Sequence, residues 1–284
     1  MSGDGRDDGQ AGRGTAVRRP IPVLLYHAVM DDPPSWIARY TVRPKDFAAQ
    51  LDAIADSGHT AITASRLVRG LAEPGSAGLP ENPIVITIDD GFADLPAFTA
   101  PAMAERGLTG TAYLTTGALD GSRDRAQLLP PAPMMTLGQV GDLTDCGLEV
   151  GAHTITHPQL DTLGSGAVAR ELAEPKKVLE DVLGEEVPAF AYPHGYSSRR
   201  VRRQVAAAGY TSAVAVRNAL SSAEDEPYRI SRLMLNCEHT LDDLTAWLDG
   251  RAAPVAPFPD RPRTVAWRAY RRLRTAVKGP AFAG

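Results

Sequence analysis

One stretch of sequence, the apolar run at residues 84–88 and the polar residues after it, constrains the fold most strongly. The run is rich in β-branched side chains, which is typical of a buried β-strand, and it ends abruptly in Asp89, Asp90 and Gly91. Neighbouring side chains of a strand point to opposite faces, so Asp89 and Asp90 are expected to have different roles. Adjacent carboxylates repel each other unless a cation or a shared proton relieves them, and such relief is often functional.

Two histidines are candidate ligands for such a cation. Residues 148–152 form a second strand-like run, and His153 and His157 follow it, four residues apart. Imidazoles at this spacing, in one helical turn or in a tight loop, can converge and make a three-ligand site together with a carboxylate. A pair of surface or capping histidines is the alternative. The adjacent carboxylates elsewhere in the chain favour the metal site.

Predicted strands and helices alternate along most of the chain. Such alternation predicts parallel strands joined by crossover helices and, repeated about seven times, a (β/α) barrel. The predicted helices are 44–58, 65–71, 95–106, 136–147, 165–183, 198–208 and 240–248. Active sites of barrels lie at the C-terminal ends of the strands. Five polar residues lie at or just beyond predicted strand ends: His27, Asp89, Asp90, His153 and His194.

Four motifs carry a resemblance to a known family. In chain order they are Val-Leu-Leu-Tyr-His at 23–27, Ile-Thr-Ile-Asp-Asp-Gly at 86–91, His-Thr-Ile-Thr-His at 153–157 and Phe-Ala-Tyr-Pro-His-Gly at 190–195. Together they resemble the NodB-homology polysaccharide deacetylases, carbohydrate esterase family 4. The resemblance implies an α/β fold, the family's distorted (β/α)7 barrel.

The resemblance also implies roles for the acidic residues. In the family, the first Asp of the Asp-Asp pair is the general base and the second Asp is a metal ligand. Asp89 is therefore the expected base, and Asp90, His153 and His157 are the expected ligands of one divalent metal. Zn²⁺ suits these N and O donors, although Co²⁺, Ni²⁺ or Fe²⁺ would also fit.

Other positions depart from the family pattern. Many relatives have an arginine at the position of Ala191, and here Arg232 is the candidate to hold Asp89; a surface charge is the alternative. The backbone N–H at the turn of Tyr192 and Pro193 resembles the family's second oxyanion donor.

The general acid is the least defined part of the expected site. Many relatives use a histidine in a late Leu-x-His motif, which has no clean match in this chain. The candidates are His27, His194 and His239. His27 and His194 rank higher because they lie at predicted strand ends.

Composition and the chain ends set further limits. A net charge of −4 argues against nucleic acid as the main partner, and two cysteines are too few for a disulfide framework. We expect a disordered lead at residues 1–20, the barrel at 21–250, and a Pro-rich linker with a basic helix at 251–284. The lead lacks the apolar segment of a signal peptide, so a cytoplasmic location is predicted.

The basic C-terminal segment has a candidate apolar stripe of Val265, Ala269, Tyr270 and Leu273. This pattern favours a helix that packs on the outside of the barrel with a solvated charged face. Weak contact with an anionic membrane surface or a protein partner is the alternative.

These features predict a metal-dependent amide hydrolase. Its expected reaction is removal of an N-acetyl group from an amino sugar or saccharide by metal-bound water. One alternative is hydrolysis of another non-peptide C–N bond, such as a cyclic amide. The other is a saccharide-binding barrel without turnover, because a fold by itself does not fix a function.

Overall fold

The architecture is a barrel of parallel strands surrounded by helices. The computed structural model describes residues 19–73, 78–120, 128–260 and 262–279. The strands in these ranges are β1 (Val23–Tyr26), β2 (Ala28–Val29), β3 (Thr41–Val42), β4 (Thr60–Ile62), β5 (Pro83–Asp90), β6 (Thr111–Leu114), β7 (Glu149–Ala152), β8 (Ala189–Ala191), β9 (Ser212–Val216) and β10 (Ile230–Met234). β2 and β3 form a small separate ladder, and the other strands form one parallel sheet.

The barrel closes because β5 pairs along both of its edges. One edge carries β1, with Leu24 opposite Ile86, and the other carries β6, with Ala112 opposite Ile88. From β6 the order continues through β7, β8, β9 and β10 back to β1, so the described strands include a closed ring of seven. β4 pairs with the first residues of β5 and lies outside this ring. The predicted (β/α)7 barrel is confirmed.

Alternation along two strands brings polar side chains into the barrel. Val85 of β5 belongs to the apolar cluster inside the barrel, and Thr87 and Asp89 share its face because strand side chains alternate. In β10, Ile230 belongs to the same cluster, and Arg232 two residues later points inward as well. The barrel interior therefore carries a carboxylate and a guanidinium to the C-terminal ends of its strands.

Helices cover the outside of the ring. In the described ranges they are α1 (Pro44–Asp56), α2 (Ala64–Ala72), α3 (Ala100–Ala104), α4 (Val140–Asp145), α5 (Ser165–Leu183), α6 (Arg199–Ala207), α7 (Leu241–Leu248) and α8 (Pro262–Lys278). The helix predicted at 95–106 is instead a π-helical turn at Leu95–Thr99 followed by the short α3. Pro101 in this segment has no N–H to donate to the preceding turn, which disfavours a continuous α-helix.

The C-terminal helix differs most from its prediction. α8 does contact the barrel, but its buried residue is Arg271, whereas Val265, Tyr270 and Leu273 of the predicted stripe are 55%, 54% and 67% exposed. The predicted orientation, with the apolar stripe packed on the barrel, is wrong because the ion pair of Arg271 with Asp161 turns the opposite side of α8 towards the barrel. No helix in the described ranges is long and apolar enough to cross a bilayer. The predicted lead lies outside the described residues except for its last two, Arg19 and Pro20.

Candidate metal centre

The polar residues predicted at strand ends converge at the C-terminal ends of the barrel strands. Four side chains are at least 94% buried there: Asp89, Asp90, His153 and, from the loop after β7, His157. Positive φ angles of 56° to 76° occur at four non-glycine residues of this end: Asp90, Thr154, His157 and His194. Such backbone conformations are costly and cluster at functional sites, where the surrounding structure maintains them. Tertiary contacts must therefore hold these turns in place.

Arg232 holds Asp89 from within the barrel. Its terminal nitrogens donate to the two carboxylate oxygens of Asp89 at 2.7 and 2.8 Å, and one of them also donates to Thr87 Oγ1 at 3.0 Å. Arg232 is fully buried, which does not fit a surface charge. Burial by itself raises the pKa of Asp89, but the charge and hydrogen bonds of Arg232 counter it, and the pKa lies below its ordinary value. Asp89 is thus an ionised carboxylate in a fixed orientation.

Asp90, His153 and His157 form a compact group of donor atoms. Asp90 Oδ1 lies 3.5 Å from His153 Nε2 and 3.4 Å from His157 Nε2, and one donor atom from each residue lies within 4.8 Å of the others. In the described part of the chain, the buried Oδ1 of Asp90 has no hydrogen-bond partner.

The electrostatics of this group favour a cation. Burial, together with the charge of Asp89, raises the pKa of Asp90 well above its ordinary value. Burial lowers the pKa of both His153 and His157, so their imidazoles are neutral. A cation between a buried carboxylate and two neutral imidazoles would relieve the cost of burying the carboxylate. The donor set therefore fits a divalent metal that accepts N and O ligands.

The main chain orients the first histidine. His153 Nδ1 lies 2.9 Å from the carbonyl oxygen of Ala191, so Nδ1–H donates to it and Nε2 keeps its lone pair towards the group. Ala191, which stands where many relatives have an arginine, thus contributes through its backbone. The N–H of Tyr192 donates to the Val214 carbonyl at 3.2 Å. The β8–β9 ladder uses this N–H, so the oxyanion donor expected at the turn of Tyr192 and Pro193 stays a prediction for another N–H of that turn.

A buried glutamate braces the loop between the two histidines. Glu171 of α5 accepts hydrogen bonds from the Ile155 N–H at 2.8 Å, from the Thr156 N–H at 3.0 Å and from Thr156 Oγ1 at 2.6 Å. Glu171 was not among the site residues predicted from the sequence. The available signal was its spacing from Val168 and Pro175, which places Glu171 on the buried face of the helix.

Two candidate general acids lie beside the donor group. The ring centroid of His194 is 4.6 Å from that of the second histidine, and His27 is close enough to Asp89 for the carboxylate to influence its pKa. Burial lowers the pKa of both His27 and His194 to about 4, so both are neutral at pH 7. The third candidate, His239, packs instead against Trp247 of α7, with ring centroids 4.9 Å apart.

The loop that follows the second histidine is tied to the C-terminal helix. Arg271 donates to both carboxylate oxygens of Asp161 and to Gln159 Oε1, each at 2.9 Å. Its guanidinium carbon lies 3.5 Å from the ring centroid of Tyr196, and that ring stacks beside His194. α8 therefore contacts the same end of the barrel as the donor group. This contact was not predicted from the sequence.

Comparisons with known proteins agree with this arrangement. A model of the polysaccharide deacetylase family matches residues 76–213, a span that includes Asp89, Asp90, His153 and His157. The chain is also 22% identical over 230 residues to YxkH of Bacillus subtilis (strain 168), whose name places it among the polysaccharide deacetylases. That match covers 81% of this chain and 76% of YxkH.

Solved structures share the fold. The Streptococcus pyogenes deacetylase PplD, solved in complex with acetate, has a TM-score of 0.71 and 23% identity, over 81% of this chain and 98% of that chain. IcaB from Ammonifex degensii has a TM-score of 0.66 and 21% identity, over 81% of this chain and 97% of that one. The family model and the curated relative thus agree that the chain is similar to the NodB-homology polysaccharide deacetylases, and the solved structures show that it shares the fold of such deacetylases.

Proposed function

We propose that this protein is a metal-dependent hydrolase that removes an N-acetyl group from an amino sugar or saccharide. The observation that carries the proposal is the different environment of two adjacent carboxylates. Asp89 is held ionised by Arg232, whereas Asp90 faces two neutral imidazoles. Metal-assisted hydrolysis needs this division between a base and a ligand. The acetate complex of the S. pyogenes deacetylase is consistent with it, because acetate is a product of N-deacetylation.

Asp90, His153 and His157 would hold one divalent metal, for which we propose Zn²⁺. Co²⁺, Ni²⁺ and Fe²⁺ are accepted by the same donor types. The bound ion would supply Lewis-acid polarisation of the amide carbonyl and would lower the pKa of a water molecule. Ala191 and Glu171 would keep the histidine loop in the orientation that this binding requires.

Asp89 would accept the proton of the attacking water. Its pKa is held low by Arg232, so it is ionised and ready to accept a proton at pH 7. Because both carboxylate oxygens are bonded to the guanidinium, the side chain cannot rotate away from the reacting atoms. This rigidity would limit the reorganisation needed during proton transfer.

His27 or His194 would deliver a proton to the leaving amine. Each is neutral at pH 7, because burial holds its pKa near 4. Neither therefore starts the reaction as an imidazolium. A neutral imidazole can instead accept a proton during the reaction at one ring nitrogen and donate one from the other. The proton that Asp89 receives from water would be the source.

Acetate release tests the proposal most simply. The zinc-loaded protein is expected to release acetate from N-acetylglucosamine or its oligomers. Asp89→Asn is expected to lower turnover by about 10²- to 10⁴-fold, because the amide cannot accept the proton. The variant should keep its metal, since Asp90 and both histidines are unchanged. Full turnover in Asp89→Asn would refute the assignment of the base.

The same assay separates the alternatives. A hydrolase of another non-peptide C–N bond would open a cyclic amide and release no acetate from N-acetyl sugars. A barrel without turnover would bind saccharides and catalyse neither reaction.

A further inference from the structure

Helix α8 is attached to the barrel in the opposite way from the other described helices. Each of α1 to α7 buries at least one apolar side chain against the core. The buried residue of α8 is Arg271. A helix that belongs to a folded domain normally turns its apolar face inwards. The apolar residues of α8 therefore require a separate explanation.

Polar contacts hold α8 in place. Arg271 is bonded to Asp161 and Gln159 and lies over the ring of Tyr196. Two further contacts act on the same side of the helix. Arg268 pairs with Asp260 at 2.6 Å, and Trp267 Nε1 donates to the hydroxyl of Tyr196 at 3.2 Å. These contacts fix which face of α8 is turned towards the barrel and which is turned to solvent.

The solvent-facing side of α8 is apolar. Val265, Ala269, Leu273 and Val277 follow one another at intervals of four residues and form one stripe, with Tyr270 beside it. Val277 is 74% exposed and Leu273 is 67% exposed. Eight large apolar side chains are exposed in the part of the chain that the structure describes, and five of them lie on this helix: Val265, Trp267, Tyr270, Leu273 and Val277.

Positive charge surrounds the stripe. α8 contains six basic residues and no acidic residue, although the whole chain has a net charge of −4. At 100° per residue, Arg263 and Arg274 fall along one edge of the stripe and Arg272 falls near the other. All three are exposed. An apolar stripe between cationic edges, with Trp or Tyr at the boundary, is typical of helices that lie in the interface of a membrane.

We propose that α8 binds the surface of an anionic lipid bilayer, with its apolar stripe among the headgroups and its basic edges against lipid phosphates. A second copy of the chain is a poorer occupant. A symmetric contact between two α8 helices would bring their basic edges together without an acidic partner from either helix. A lipid surface supplies both apolar depth and negative charge.

Binding in this way would also orient the catalytic end of the barrel. Arg271 and Trp267 tie α8 to Asp161 and Tyr196, and Tyr196 stacks beside His194. The end of the barrel that carries Asp90, His153 and His157 would then lie close to the bilayer surface. The lipid-binding proposal does not depend on the proposed reaction, because it rests on α8 alone.

Vesicle flotation of the full chain tests the proposal. Vesicles of phosphatidylcholine alone are compared with vesicles of phosphatidylcholine and phosphatidylglycerol in equal parts. Leu273→Asp lies in the stripe, and Leu241→Asp is its matched control, because Leu241 is an exposed leucine, 44% accessible, on α7. We expect the wild-type protein and Leu241→Asp to float only with the anionic vesicles. Leu273→Asp is expected to bind at least about tenfold more weakly.

A second variant, which removes charge, keeps the proposal testable if Leu273→Asp does not fold. The double variant Arg263→Gln and Arg274→Gln changes only exposed side chains, and it is expected to weaken binding by about tenfold or more. Circular dichroism checks that each variant is folded. No flotation of the wild-type protein with anionic vesicles would overturn the proposal, and so would equal binding by all folded variants. A wild-type dimer in sedimentation velocity that Leu273→Asp converts to a monomer would overturn it in favour of a second copy.

Discussion

Two buried arginine–aspartate pairs use the same chemistry at different places in the molecule. Arg232 binds both oxygens of Asp89 inside the barrel, and Arg271 binds both oxygens of Asp161 at its rim. All four side chains are at most 3% exposed. Each arginine also has a third acceptor, Thr87 for the first and Gln159 for the second.

The two pairs differ in what surrounds them. Asp89 is followed directly by Asp90, and Arg232 comes from a strand of the closed ring. If either Arg232 or Asp89 is replaced by an apolar residue, the remaining charged side chain stays buried and cannot reach solvent. Arg271 comes from a terminal helix whose other side faces solvent, so Asp161 can become hydrated if α8 moves away. The difference teaches that the free energy of a buried ion pair depends on whether its surroundings can open.

The largest effect that would test this comparison is expected for Arg232→Met. In chelator, the variant should lose about 3–5 kcal/mol of unfolding free energy, because Asp89 stays buried without a counter-charge. Urea denaturation measures the loss. Adding Asp89→Leu to the variant should restore most of the stability, since an apolar pair of similar volume often replaces a buried ion pair at little cost. A single variant as stable as wild type would contradict the buried-pair assignment.

Arg271→Met is expected to have a smaller effect on global stability. Its loss of unfolding free energy should be at most about 1 kcal/mol, because undocking of α8 allows Asp161 to be solvated. The consequence should be local instead. Limited trypsin digestion, followed by mass spectrometry, should cut α8 much faster than in the wild-type protein. An equal loss of stability in Arg271→Met and Arg232→Met would break the comparison.

The pH dependence gives a finer test of the catalytic end. Burial lowers the pKa of His27 to about 4, so between about pH 6.5 and 4 the unfolded chain binds a proton that the native residue does not. The stability due to neutral His27 is present above that window and is lost as the pH falls through it. In chelator, His27→Gln should reduce the slope of unfolding free energy against pH by about one proton.

Asp94 supplies the control of opposite sign. Burial raises its pKa to about 6. Its stabilising effect is therefore present at low pH and is lost as the pH rises through about 6. Asp94→Asn should steepen the slope that His27→Gln makes shallower. Changes of the same sign in both variants would contradict these environments.

The contacts of Asp89 were predicted better from the sequence than the contacts of α8. The two arginines show why. Arg232 lies within a strand, and the arginine that many relatives have at the position of Ala191 is absent, so a pairing of Arg232 with Asp89 could be proposed. Arg271 lies in a run of basic residues that is typical of a solvated face, and its partner is 110 residues away. No local pattern indicates which arginine of such a run is buried.

The fold shows the same division. Apolar runs predicted the eight strands of the main sheet and helical patterns predicted most of the helices, and the order of these elements predicted the barrel. The position of β4 outside the ring depends on a competition with β6 for one edge of β5, which is a tertiary effect. Similarly, Glu171 and the Ala191 carbonyl orient the histidine loop through long-range hydrogen bonds that do not alter sequence periodicity.

The metal content of three purified proteins tests the central claim most directly: wild type, Asp90→Ala and Asp89→Asn, each supplied with zinc and then desalted. The adjacent carboxylates are matched, because both are 2% exposed and lie at the end of β5. Elemental analysis should find about one ion per chain in wild type and in Asp89→Asn, and a large loss in Asp90→Ala. No metal in any of the three, or equal metal in all three, would contradict the assignment of Asp90 as ligand and Asp89 as base.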